Sequence, residues 1–322
     1  MEINKEQINS ISKAFKLFIV VPNYNHGKYL PKVQATIESL KDFKCFVLFI
    51  DDCSSDNSKK IINDICKKSE NSKHFYSYIF NKKNLGVVNS TNQIIKYIAS
   101  SYIYFFSADD EIRPSLLSKA VFSLEKIRGK AFFISALISK NIKKDRVISS
   151  AYPFPEFLNK VFPKLENVYL DSVFKIILML IFFQYIPGGN TVIYSTDKFK
   201  KFYTLDDSYS ALVDLFRNIL MAFKYGFIFN AKILGTFVSE ENSFSWRHRK
   251  SKSEFLKSLI SFYLNEFNFS LKGLIVLLTF LIIISSWIRL DITRFIFAIK
   301  FIILNPDKRL IFFRKIILLI SI

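Results

Sequence analysis

From Lys16 to Phe106 short apolar runs alternate with amphipathic stretches, the rhythm of β-α units wound around a parallel sheet. The pattern predicts strands at about 16–21, 44–50, 75–80 and 102–106, and helices at about 28–40, 56–68 and 88–99. The first strand, L-F-I-V-V, gives way to Pro22-Asn23-Tyr24-Asn25, and the second, F-V-L-F-I, to Asp51-Asp52-Cys53-Ser54-Ser55-Asp56. The fourth apolar run, I-Y-F-F, stops within a few residues of the adjacent carboxylates Asp109 and Asp110. Ligands of open α/β sheets gather beyond the carboxyl ends of the strands. Three polar clusters are therefore expected on one edge.

Each cluster has a plain structural use as a turn or a helix cap, and singly that use is the better explanation. Three at successive strand ends point to a site. Two adjacent acids suit a hard cation such as Mg²⁺ or Mn²⁺, which prefers carboxylate oxygen and shares its coordination with substrate phosphates. Pro22 and Asn25 make a tight turn whose backbone can meet a ligand, and Tyr24 offers an aromatic face for a flat base. Asp52 can accept a hydrogen bond from an imide N–H such as that of uracil, whereas Ser54 or Ser55 and Asp56 read as caps of the next helix.

Beyond about residue 130 the chain is expected to bind an acceptor. Pro187-Gly188-Gly189-Asn190 precedes the apolar stretch T-V-I-Y, where small residues let the backbone approach a substrate, or simply turn into a strand. From Ala211 apolar residues recur at three and four spacing, and Gly226 is placed to end that helix. Asp214 lies near its start, a position where a carboxylate also favours the positive helix terminus.

A length of 322 residues suits one large α/β domain with an appendage, or two modest domains. The net charge of +19 favours an anionic partner, although an AT-rich genome also yields low Gly with abundant Phe, Ile, Lys and Asn. The location of the charge decides. Residues 243–260 include R-H-R-K-S-K, and from Leu271 onward eight Lys or Arg stand against two Asp in a strongly apolar context. The uncharged run 274–288 is shorter than the roughly 20 residues of a spanning helix. Cations mixed into greasy runs fit helices lying in a membrane interface beside anionic headgroups, with a helical bundle or oligomer interface as the alternative. Nucleic acid is disfavoured, because its footprint is a basic face without so much hydrocarbon. Cys45, Cys53 and Cys66 form neither a disulfide framework nor a zinc spacing, which suggests a reducing compartment. The polar start M-E-I-N-K-E-Q-I-N-S lacks a secretory core, so the cytoplasmic face of the membrane is expected.

Taken together, V-V-P-N-Y-N, F-I-D-D-C-S-S-D-N-S, N-L-G-V-V-N-S-T-N and F-F-S-A-D-D resemble a family 2 glycosyltransferase of the GT-A fold, strongly over about 15–130 and more weakly over 185–245. The resemblance implies an α/β fold, a Rossmann-like mostly parallel sheet flanked by helices, in residues 1–245, with a nucleotide-binding half at 15–130 and an acceptor half at 131–245. Residues 246–322 then form a basic, apolar, helical, membrane-associated extension. By similarity Pro22, Asn23 and Tyr24 lie against the nucleobase, Asp52 binds its imide, and Asn84 and Gly86 flank the nucleoside. Asp110 is implied as the direct ligand of Mn²⁺ or Mg²⁺, with Asp109 on the ribose or the metal, and Gly188 and Gly189 near the donor sugar. Many members carry a further Asp, giving D-x-D-D, where this chain has Ser107. Asp214 corresponds to the general base, with Asp206, Asp207 and Glu240 in reserve. The expected activity is inverting transfer of a sugar, from a UDP-sugar, to a hydroxyl of a glycan or lipid-linked acceptor in surface-polysaccharide assembly. The competing expectations are a non-catalytic relative that binds nucleotide and membrane, and a nucleic-acid-binding protein. A dinucleotide oxidoreductase fits less well, because no G-x-G-x-x-G follows the first strand.

Overall fold

The apolar run Leu17–Asn23 forms the central strand β1, flanked in parallel by β2 (Cys45–Asp51) and β4 (Tyr102–Phe105), with β3 (Phe75–Phe80) parallel to β2. The computed structural model describes residues 1–143, 146–152, 167–170, 190–203 and 213–240, which fall in one compact unit. Every residue of β2 is buried, as expected of a strand covered on both faces, which is why its sequence is continuously apolar rather than alternating. One face carries Leu17, Ile19, Val21, Val47 and Phe49 into the main core. On the other, the buried rings of Phe18 and Phe46 stack at 4.5 Å.

Helices connect these strands as the periodicity predicts. A single 3-10 turn at Gly27–Tyr29 leads into α2 (Leu30–Glu38), and α3 (Ser58–Lys68) and α4 (Val87–Ile95) follow β2 and β3. The preceding helix α1 (Lys5–Ser12) was not anticipated. Its signal is a capping box, in which Asn4 accepts from the Gln7 N–H and Gln7 accepts from the Asn4 N–H, both at 2.9 Å. Met1 and Ile3 hydrogen-bond to Tyr78 on the β3 edge.

The second half turns the sheet mixed. The strand order is β3-β2-β1-β4-β9-β6-β10-β5, with β7 (Arg146–Tyr152) on β6 and β8 (Asn167–Leu170) on β10. Here β9 (Val192–Ser195) runs antiparallel to both β4 and β6 (Phe132–Lys143), whereas β10 (Phe227–Glu240) runs parallel to β6. The two-residue strand β5 (Glu111–Ile112) pairs antiparallel with Gly235 and Thr236 of β10, and α5 (Pro114–Lys126) opens with proline at its first turn. After β9 come the short α6 (Thr196–Phe199) and then α7 (Val213–Tyr225), close to the helix expected from Ala211 and followed, as expected, by Gly226 at φ 68°. The reading of Ser54 and Ser55 as caps needs correction. Helix α3 begins after Asn57 without a side-chain cap bond, and only Asp56 reaches its first turn, accepting the Ser58 N–H at 2.9 Å.

Gly188, Gly189, Asp206, Asp207 and the tail 246–322 lie outside the described residues. No helix among the described residues is long and apolar enough to cross a membrane.

Gly235 packs closely against Thr191, since a Cβ there would stand 2.4 Å from Thr191 Cγ2. Gly235→Ala is expected to destabilise the protein by about 1–3 kcal/mol through overpacking, read as a lowered denaturation midpoint.

Candidate active site

The strand ends are laced together before any ligand is considered. Asn23 and Asp51 face each other in register, and Asn23 Nδ2 donates to Asp51 Oδ2 at 2.8 Å and to Ser54 Oγ at 3.2 Å. The other Asp51 oxygen accepts the Ser54 N–H at 2.9 Å. Asn25, at φ 56°, donates its N–H to Ser54 Oγ at 2.9 Å and accepts the Ser55 N–H on Oδ1 at 2.8 Å. The loops after β1 and β2 are thus one hydrogen-bonded unit. Buried Asn23 serves as a brace within it, while Pro22 is half-buried and Tyr24 stands 49% exposed at the rim, available for stacking.

Asp52 holds the third loop. Its Oδ1 accepts from Asn81 Nδ2 at 2.8 Å, Ser90 Oγ at 2.8 Å and the Leu85 N–H at 2.9 Å, and its Oδ2 accepts the Gly86 N–H at 2.8 Å. An ionised carboxylate offers about four lone-pair sites, so Oδ2 retains acceptor capacity that Oδ1 has spent. Gly86, at φ 78°, sits at the start of α4 in open space, and its N–H is shared with Asn84 Oδ1 at 3.0 Å. Asn84 and Gly86 are exposed, beside the buried Asp52. Asn81 and Ser90, which brace Asp52, are residues that sequence reasoning missed. Asn81, the polar residue ending the third strand, was the available signal.

Asp110 is the most strained electrostatic element. It is 5% exposed and is fixed by the short strand directly after it: β5 pairs with β10, and the Val238 N–H donates to Asp110 Oδ1 at 3.1 Å. Burial, and next the charge of neighbouring Asp109, push its carboxyl well above the usual carboxylate range, with Glu111 adding to the push. The Val238 N–H and the Asn190 side chain act the other way. Asp109 is half-buried. A divalent cation would relieve this repulsion, and hard oxygen donors at a strand end suit Mg²⁺ or Mn²⁺, so the residues fit such an ion. No group of three or more His, Cys, Asp or Glu capable of holding a metal occurs among the described residues. Two acids leave most of the coordination shell to diphosphate and water.

Asp214 opens α7 and is 59% exposed on its side chain, where Arg217 Nη1 meets its Oδ1 at 3.1 Å. Arg217 is itself buried, donating from Nε to the Phe202 carbonyl at 3.3 Å and covering the Phe199 ring at 4.7 Å. Asp214 is thus an exposed acid paired with a buried cation, unlike the buried Asp110. Glu240 ends β10 in register with Ile142.

A mixed α/β sheet with acids and nucleotide-sized loops at the carboxyl ends of its parallel strands describes a GT-A glycosyltransferase. The model of glycosyl transferase family 2 matches residues 18–182, just over half the chain, and the chain belongs to that family. It is 27% identical over 104 residues to the GalNAc(5)-diNAcBac-PP-undecaprenol beta-1,3-glucosyltransferase of Campylobacter jejuni, covering 32% of each chain. An uncharacterised protein of Methanocaldococcus jannaschii is 26% identical over 121 residues, covering 36% of this chain and 50% of its own. The chain thus spans half or less of these curated relatives. Among solved structures, S. aureus TarS in complex with UDP-GlcNAc shares 19% identity at a TM-score of 0.55, over 78% of this chain and 67% of its own. The mannosyltransferase PcManGT from Pyrobaculum calidifontis, in complex with GDP-Man and Mn2+, shares 12% identity at 0.58, over 85% and 71%. These likenesses establish the fold.

Asp52→Ala leaves several donors without their acceptor, at a cost of about 1–3 kcal/mol or more, whereas Ser90→Ala removes a single bond worth about 0.5–1.5 kcal/mol. Urea midpoints of the two variants are expected to fall in that order.

Proposed function

We propose that this protein is an inverting, metal-dependent glycosyltransferase that moves a sugar from a nucleotide diphosphosugar, a UDP-sugar, to a hydroxyl of a glycan or lipid-linked acceptor in surface-polysaccharide synthesis. The observation that carries the reading is the buried Asp110 beside Asp109, on the same sheet edge as the loops that Asp52 braces. A nucleobase would stack on exposed Tyr24 and meet the spare capacity of Asp52 Oδ2, with Asn84 and Gly86 along the nucleoside. Asp110 and Asp109 would hold Mn²⁺ or Mg²⁺, which supplies positive charge where the departing diphosphate develops its negative charge. Asp214 is the proposed base, receiving the acceptor's proton as its oxygen attacks the anomeric carbon; one displacement there inverts the configuration. Gly188 and Gly189 are assigned to the donor-sugar loop.

What supports a UDP donor is the UDP-GlcNAc complex of TarS, and what supports a metal is the Mn2+ complex of PcManGT. The undecaprenol-linked substrate in the name of the Campylobacter relative favours a lipid-linked acceptor. The basic, apolar residues beyond Leu271 add the proposal of peripheral or monotopic attachment at the cytoplasmic membrane face. In this organisation residues 1–245 are the catalytic domain and 246–322 the membrane-associated extension, and no nucleic acid is bound.

Thermal-shift screening of the full chain against UDP- and GDP-sugars, with and without Mn²⁺, tests the reading. A donor at 100 times its Kd is expected to add about 2.7 kcal/mol of stability. That stabilisation should need Mn²⁺ and vanish in Asp110→Ala. Asp214→Asn is expected to leave donor binding unchanged and to slow transfer by about 10²–10⁴-fold. Donor binding without turnover across a broad acceptor panel would instead select the non-catalytic relative.

A further inference from the structure

One buried polar group at this edge is left over. Asn190 is 7% exposed, and its Nδ2 is buried with no hydrogen-bond partner. A donor buried without a full hydrogen bond carries a desolvation cost of about 1–3 kcal/mol, so a use for it is expected.

Its placement is well determined. The hydroxyl of fully buried Tyr104 donates to the Asn190 carbonyl at 2.9 Å, fixing its backbone. Strands β4 and β9 pair antiparallel with Tyr104 opposite Ile193, so Asn190, just before β9, lies beside the turn that carries Ser107 to Asp110. In the next residue, Thr191 Oγ1 donates to the Ser135 carbonyl at 3.0 Å, and Gly235 leaves room for the Thr191 methyl. The Asn190 amide therefore stands against Asp110, near enough to favour its ionised form as a weak donor but short of a full hydrogen bond. The Val238 N–H occupies Asp110 Oδ1 from the β10 side.

We propose that Asn190 is a positioning residue for the metal-binding carboxylate: its free amide N–H closes onto Asp110 from the β9 side, opposite Val238, and orients the carboxylate for a divalent cation. This rests on the reading of Asp110 as a metal ligand. Outer hydrogen-bond partners of ligating carboxylates are worth about 10–100-fold in metal affinity. Without metal the Asn190 contact is short of a full bond, so little stability is expected from it.

The test is Mn²⁺ titration of the full chain by electron paramagnetic resonance, with UDP and separately GDP present, alongside thermal midpoints without metal. Asn190→Ala is expected to raise the Mn²⁺ Kd about 10–100-fold while shifting the metal-free midpoint by no more than about 2 °C. Asn190→Ser, which keeps a donor, should recover part of the affinity. If Asp110→Ala abolishes Mn²⁺ binding while both Asn190 variants bind within about twofold of wild type, the inference is wrong and the metal reading stands. If Asp110→Ala binds Mn²⁺ like wild type, the metal reading fails and takes the inference with it. A metal-free midpoint that drops by many degrees with unchanged Mn²⁺ affinity would make Asn190 a structural residue only.

Discussion

A carboxylate kept almost out of water is the constraint on which this sheet edge depends. Asp110 is held there by backbone rather than by its own preference: the pairing of β5 with β10 draws the residues after it into the sheet. Burial and the acid next to it both oppose ionisation, and one backbone N–H from Val238 compensates only in part. Two adjacent acids, one of them buried, are hard oxygen donors of the kind a divalent cation takes. Gly235 of β10 packs closely against the Thr191 methyl and the β5 backbone at Glu111.

The nucleotide half solves a different problem with the same residue types. Asn23, Asp51 and Asp52 carry polar groups into a buried row; Asn23 and Asp52 find their partners in a neighbouring loop, and Asp51 joins Asn23 to the Ser54 N–H of its own loop. Rigid strands thereby hold three loops in fixed relation, so exposed Tyr24 and Gly86 are presented from a braced frame. Asp52 shows why structural and functional roles need not compete. Oδ1 ties the Leu85 N–H and Ser90 of α4, and Oδ2 takes the Gly86 N–H with acceptor capacity to spare.

The first half of the fold was legible because its physics is local. Buried parallel strands write themselves as continuous apolar runs, so β1, β2, β3 and β4 lie within a few residues of expectation. Sheet order after β4 was not legible. The ladder of β6 with β10 joins segments far apart in sequence, and shifts of register near Ile233 interrupt its pattern, so alternation gives no warning of it. The candidate site shows the same division. Asp52, Asp109 and Asp110 announce themselves by following apolar runs, whereas Asn81, Ser90 and Asn190 matter only through contacts made across the sheet edge.

The two polar loci also differ in how much the chain has prepared them. Around Asp110 the protein supplies burial, a backbone donor and a poised amide, and leaves charge compensation to be brought in. Around Asp214 it supplies the compensating charge itself: Arg217 is buried, anchored on the Phe202 carbonyl and the Phe199 ring, and presents its guanidinium to an acid that remains mostly in solvent. That contact engages Asp214 Oδ1 within the first turn of α7. The two acids therefore differ in kind: the sheet holds Asp110 almost out of water, whereas Asp214 keeps its contact with solvent beside a fixed cation.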